Sequence, residues 1–276
     1  MPWFGVIWIK VCGTWLGYPS KRRRNLSWSW NRDRLIWTGP AEQKDVQADF
    51  DRLFHRKIML PGDVFCAAPD EYVAEVYGQA MGKRFCSLPD GQNVDVRGRR
   101  MLASILTPAQ LQRLHAYEET HEAKHGTPPG PGSPLIADVM QWPGMPGDSS
   151  GAVFPSQLKH GLYYSFAARR LLMGLEGMFA NGFNVFEPDG APWSSPLTPM
   201  LRRLSQSQIK HLSGNGMHCP SVCAWFVYVC MNTRRVESSK IVEEARRAKL
   251  AEGFDHDDEG EDEGADHDAG DADVMY

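Results

Sequence analysis

An α/β fold with an irregular middle and an unstructured acidic tail is what the residue pattern predicts. Three observations carry that expectation. Short aromatic and β-branched runs at 3–9, 27–30 and 35–37 read as strands. Apolar residues at helical spacing in 46–58, 107–125, 160–179 and 222–230 read as helices. Residues 255–276 hold 11 Asp/Glu and no Lys or Arg, with too little apolar content to fold.

The 276 residues allow one large domain or two smaller ones, and 42% apolar residues with 9 Trp supply a core. The net charge of −4 is polarised: outside the tail, 23 acids face 30 bases, a net of +7. A basic body with an acidic tail suits a polyanionic partner, the tail competing for the same surface. The six cysteines (12, 66, 86, 219, 223, 230) form no Cys-x-x-Cys pair, and several sit inside apolar runs. They read as buried thiols in a reducing, intracellular compartment, with no disulfide-linked partner. No apolar stretch approaches the roughly 18 residues of a membrane span. The N-terminus is apolar at once, without a basic leader, and so reads poorly as a signal peptide. Met1 falls at the edge of a strand, so the chain is expected to begin inside a larger fold.

After the first strand comes Gly17-Tyr18-Pro19-Ser20-Lys21-Arg22-Arg23-Arg24, four consecutive cations behind a Gly-x-Pro turn. Such a run makes a phosphate-sized positive patch, or else a solvated face or localisation signal. Ser-Trp-Ser-Trp at 27–30 and Leu35-Ile36-Trp37 follow as strands. From 39 to about 140 the pattern is irregular, with a helix expected at 46–58 and a second basic cluster at Arg97, Arg99 and Arg100. Thr107 as N-cap and Pro108 at the first position open a helix that stops before Gly126.

Inside that helix, His121-Glu122-Ala123-Lys124-His125 places two imidazoles at i, i+4 with a Glu between them. The same residue types hold zinc and supply the general base in zincin peptidases, which gives one alternative function. Against it, the neighbouring turns are polar, the helix breaks directly after His125, and no third His follows at the metzincin spacing. The other reading is a solvated helix end with His and Lys favourable at the C-terminal dipole. Residues 126–150, rich in Gly and Pro, read as a linker. A helix over 160–179 and a loop over 187–199 precede Ser207–Cys230. There, Gly214-Asn215-Gly216 reads as a tight turn and Pro220 as a first-turn residue. The apolar run Val222–Cys230 reads as a helix buried on most sides. Val236–Leu250 reads as a charged amphipathic helix.

Taken in order, these segments resemble the later portion of DNA cytosine-5 methyltransferases. Gly17, Pro19, Arg22 and Arg24 match that family's Gly-x-Pro-Gln-x-Arg-x-Arg segment, with Ser20 in place of its Gln. Arg170-Leu171 and Gly174 resemble its penultimate helix, although Leu175-Glu176 stands where the family has Phe-Pro. Ser207-Gln208 and Gly214-Asn215 match its closing Ser-Gln…Gly-Asn stretch. The resemblance covers roughly residues 10–235.

It implies a partial S-adenosylmethionine-dependent methyltransferase fold, Rossmann-like, divided as follows. Residues 1–38 would be the last strands of the catalytic domain, and 39–150 the target-recognition region with its linker. Residues 151–235 would be the closing helices and cofactor-side segment. The charged helix (236–254) and the disordered tail (255–276) would follow. By resemblance Arg24 contacts a flipped cytosine, Arg22 supports it, and Gly214, Asn215 and Gly216 line the S-adenosylmethionine. DNA is the implied partner and the nucleus the implied location. The family's Pro-Cys nucleophile loop, its Glu-Asn-Val strand and its Gly-rich first turn are absent; Gln92-Asn93-Val94 is not Glu-Asn-Val. The chain alone is therefore expected to be inactive and to expose the Val222–Cys230 run. A non-catalytic nucleic-acid-binding or interaction protein is the second alternative.

Overall fold

The computed structural model describes residues 3–82, 98–145, 153–186, 196–236 and 247. The chain divides into two units, Met1–Arg234 and Arg235–Tyr276, and almost all described residues belong to the first. The charged helix and the acidic tail lie outside the described residues, apart from Val236 and Arg247.

The fold is mixed α/β with small sheets. β1 (Phe4–Cys12) and β2 (Arg23–Asn31) form an antiparallel hairpin, with Phe4 opposite Asn31 and Cys12 opposite Arg23. Its inner face carries Ile7, Ile9, Val11 and Leu26, as the period-2 alternation requires. α1 (Gln43–Phe54) and a later helix, defined below, close that face. The outer face is open and mixed: β1 presents Phe4 and Val6, 57% and 62% exposed, opposite Asn31 and Ser29 of β2.

The outer edge of β1 is covered in an unusual way. Gln43 and Gln47 of α1 lie one turn apart, and each pairs its side-chain amide with the backbone of one β1 residue. The Lys10 N–H donates to Gln47 Oε1 at 2.9 Å, and Gln47 Nε2 returns a bond to the Lys10 carbonyl at 3.2 Å. Gln43 does the same at Trp8, accepting from its N–H at 3.1 Å and donating to its carbonyl. Two side chains thus stand in for a third strand.

β3 (Leu35–Trp37) pairs with β7 (Thr233–Arg235). The middle region is more helical than its sequence suggests: α2 (Asp70–Gly82), α3 (Arg99–Ile105) and α4 (Pro108–His125) follow α1. α4 begins and ends where expected. Thr107 and Gln110 form a reciprocal capping box, and Gly126 closes the helix at φ 76°.

Two expectations are corrected. The 126–150 linker contains a buried strand, β4 (Ile136–Asp138), whose neighbours Leu135 and Val139 are also in the core. The Gly/Pro-rich stretch in front of it masked this short apolar run. The helix expected over 160–179 is instead a hairpin, β5 (Tyr163–Ser165) and β6 (Arg170–Leu171), followed by α5 (Gly174–Ala180). β4, β5 and β6 make an antiparallel sheet that packs with α2, α3 and α4.

After α5 come α6 (Thr198–Leu201), α7 (Gln206–Asn215) and α8 (Cys219–Met231). α8 starts with Pro220 in its first turn, as expected. It is not buried on most sides, however. Trp225, Tyr228 and Val229 pack on the β1–β2 hairpin and α1, whereas Phe226 and Met231 are 61% and 62% exposed. An apolar helix needs apolar neighbours all round, and among the described residues α8 has them on one side only.

A buried ion pair ties the middle region to α5. Arg170 donates to both carboxylate oxygens of Glu176 at 2.7 and 2.9 Å, with both side chains buried. Glu176 also accepts the N–H of Ala68 at 2.9 Å and of Met173 at 2.8 Å. Among the described residues, no helix is long and apolar enough to cross a membrane.

Candidate nucleic-acid interface and the junction behind it

The basic segment is held flat as it leaves β1. Gly17 takes φ 81°, a conformation open to glycine, and brings its backbone against Arg56. The Pro19 carbonyl accepts the Phe154 N–H at 2.7 Å, and the Lys21 N–H donates to the Phe154 carbonyl at 2.8 Å. Alternate side chains then point opposite ways. Ser20 and Arg22 go inside, and Arg23 goes to solvent.

Arg22 is 2% exposed, and its partners are carbonyl oxygens. Nη2 donates to the Gly214 carbonyl at 2.7 Å and Nε to the Gly216 carbonyl at 2.9 Å. These are carbonyls at the C-terminal end of α7 and just beyond, where the backbone has no further intrahelical donors. A cation there also complements the helix dipole. Burial, with a smaller push from Arg24, lowers the Arg22 guanidinium to about 10, so it stays charged at neutral pH. The two sequence landmarks, the arginine-rich bend and the Gly-Asn-Gly bend, are therefore joined through Arg22.

Gly214, Asn215 and Gly216 are used up in making this joint. A Cβ at Gly214 would lie 2.5 Å from the Lys159 nitrogen, so the glycine admits close backbone packing rather than a ligand. Gly216 takes φ −62°, not the left-handed region. The Asn215 side chain bonds the His211 ring at 2.9 Å. With two carbonyls committed to Arg22 and one glycine face packed on Lys159, these residues do not fit a nucleoside cofactor lying on them.

Beside the joint sits His218, which the sequence reading passed over. It is 1% exposed, with Nδ1 2.7 Å from Ser221 Oγ and Nε2 buried with no hydrogen-bond partner among the described residues. The Tyr18 ring meets it edge-on, with centroids 5.0 Å apart. Burial first, then the Arg22 charge, lowers its pKa to about 4. The only signal in the sequence was a single His directly before a Cys-Pro helix start.

Arg24, two residues on and on the same side of the strand as Arg22, is half-buried at the end of the hairpin. With Lys10, Trp15, Arg23 and Asn25 it lines an open cleft of about 400 Å³ at the end of the hairpin. Three cations beside an indole can neutralise phosphates and stack a base. Among the described residues Arg24 donates to the neighbouring Arg23 carbonyl, at 2.8 Å, a bond that leaves other guanidinium N–H groups to take a phosphate or a base edge.

The other sequence candidates fall elsewhere. The His121 and His125 rings are 4.4 Å apart on the surface of α4, but no group of three metal-ligating side chains occurs among the described residues. The side chains of Arg97, Arg99 and Arg100 lie outside the described residues. Five described cysteines are free, and Cys86 is outside that set. Burial pushes Cys66 up to about 12 and also raises Cys219, the opposite of what a thiolate nucleophile needs. Cys12 is buried and accepts the Arg22 N–H at 3.3 Å.

No protein-family model matches the chain, and no curated protein matches it.

Proposed function

We propose that this chain is the DNA-facing, later portion of a cytosine-5 methyltransferase-like protein, and that by itself it binds nucleic acid without transferring methyl groups. The observation that carries the reading is the joint between Arg22 and the carbonyls of Gly214 and Gly216. Two segments matched to the family on sequence alone meet in space, with Arg24 partly exposed two residues beyond Arg22. In this reading Lys10, Arg23 and Arg24 take backbone phosphates and Trp15 takes a base face. S-adenosylmethionine is the methyl donor of the family. The Gly214–Gly216 segment, bound to Arg22 and packed on Lys159, does not cradle it. A nuclear location goes with the DNA partner.

Absence of turnover is expected because the sequence holds no Pro-Cys nucleophile loop. Attack on the cytosine ring needs a thiolate in an accessible loop, and Cys66 and Cys219 are both shifted away from ionisation. The test is fluorescence anisotropy with a labelled duplex over a salt series, run beside a methyl-transfer assay. Binding that weakens with salt, and loses about one unit of log–log slope in Arg24→Ala, is expected. Salt-independent binding, or none, defeats the DNA assignment. Robust methyl transfer by the purified chain defeats the claim of inactivity.

A non-catalytic nucleic-acid-binding role outside this family is the second reading, and the cleft alone favours it. The two part at Arg22: the family reading needs the joint for binding geometry, whereas a generic basic cleft tolerates its loss.

A further inference from the structure

A second cavity lies away from the basic cleft, between α2, α3, the β5–β6 hairpin and the start of α7. Its volume is about 230 Å³. Val76, Ile105, Leu171 and Met173 give it apolar walls, and Gln206 and Lys210 give it one polar side. Gln206 is already committed: Oε1 accepts the Gly174 N–H at 2.8 Å and Nε2 donates to Tyr72 Oη at 2.7 Å. The Lys210 ammonium is not. Among the described residues it makes no hydrogen bond and no ion pair within 4 Å.

The groups facing Lys210 come from two other elements. Asp138 of β4 attracts it from a distance and spends Oδ1 on the N–H groups of Met140 and Leu162, each at 3.1 Å. Tyr77 of α2 lines the same cavity, its hydroxyl accepting the Leu171 N–H at 2.9 Å. Burial lowers the amine to about 8, with Asp138 opposing the shift. A partly exposed cation with no protein partner among the described residues, at the rim of an apolar hole, can hold an anion there.

We infer that this cavity is a binding site for a small apolar carboxylate, its hydrocarbon body among Val76, Ile105, Leu171 and Met173 and its carboxylate on Lys210. The volume suits a single aromatic ring or a short acyl chain, not a nucleotide. No covalent step is involved. A bound carboxylate keeps the amine protonated, so at mildly alkaline pH binding takes up a proton.

The test uses the full chain with 3-phenylpropionate and its neutral amide, followed by calorimetry. The carboxylate is expected to bind about tenfold more tightly than the amide near neutral pH, the factor a charge-assisted hydrogen bond supplies. Lys210→Met should abolish the preference and Lys210→Arg should keep it. In the unaltered chain the preference should fade at about two pH units above the Lys210 value, with proton uptake seen as a buffer-dependent heat near pH 8. Equal affinity for acid and amide, or no binding of either at millimolar concentration, overturns the inference. That result leaves the DNA reading untouched, since the two cavities share no residue.

Discussion

Arg22 Nε donates to the Gly216 carbonyl, 194 residues further along the chain, at 2.9 Å. The same guanidinium holds the Gly214 carbonyl, so one side chain fixes the hairpin against the end of α7. Arg22→Ala removes a cation and strands two carbonyls. A loss of about 3 kcal/mol or more is expected, since hydrogen bonds to charged groups contribute about 1.5–3 kcal/mol each. Arg22→Lys, which keeps the charge but not the fork, should lose less. Urea denaturation of the three chains gives the ranking.

His218 makes stability depend on acid. Its pKa in the fold is about 4, below the roughly 6.5 of an unfolded His. Between those values the unfolded chain binds the extra proton. Stability is therefore full above about pH 6.5 and falls as pH drops towards 4. The difference is on the order of 2–3 kcal/mol. His218→Gln should flatten this limb in urea midpoints taken across the window; an unchanged slope would assign the acid sensitivity to other groups.

Gln43 and Gln47 keep the β1 edge occupied. Replacing both with Ala frees the backbone at Trp8 and Lys10 beside the exposed Phe4 and Val6. Each replacement should cost about 0.5–1.5 kcal/mol. The double variant should also self-associate through the bared edge, visible as larger species in light scattering. Ala is a good helix former, so α1 itself is not weakened.

The Arg170–Glu176 pair sits in a dry interior, with Glu176 making four hydrogen bonds. Glu176→Gln should lower stability by roughly 3–5 kcal/mol, because it leaves Arg170 buried and unpaired. Thermal unfolding followed by circular dichroism measures the change.

The local signals in the sequence read well. Thr107, Pro108 and Gly126 mark both ends of α4, and the structure confirms their geometry. The β5–β6 hairpin was illegible because its turn carries no glycine: Arg169 takes φ 55° instead, and Ala167 and Ala168 look helical. β4 was hidden by its Gly/Pro-rich approach. The sequence pointed to two segments that meet in space, although Gly214 and Asn215 end α7 instead of forming the tight turn expected. It could not show that Arg22, rather than Arg24, makes the bond between them. Both lie on the same strand face, and it is Arg22, next to the clamp of Phe154 on Pro19 and Lys21, that reaches the end of α7. His218 had no periodic or motif signal strong enough to single it out.

The hairpin's inner face, Ile7, Ile9, Val11 and Leu26, is completed by Trp225, Tyr228 and Val229 of α8. Folding order follows from that arrangement. Translation proceeds at about 5–20 residues per second, so β1 and β2 leave the ribosome some tens of seconds or less before the helix that covers them. A pairing so distant along the chain also closes slowly. The nascent hairpin thus leaves its apolar inner face uncovered until α8 arrives.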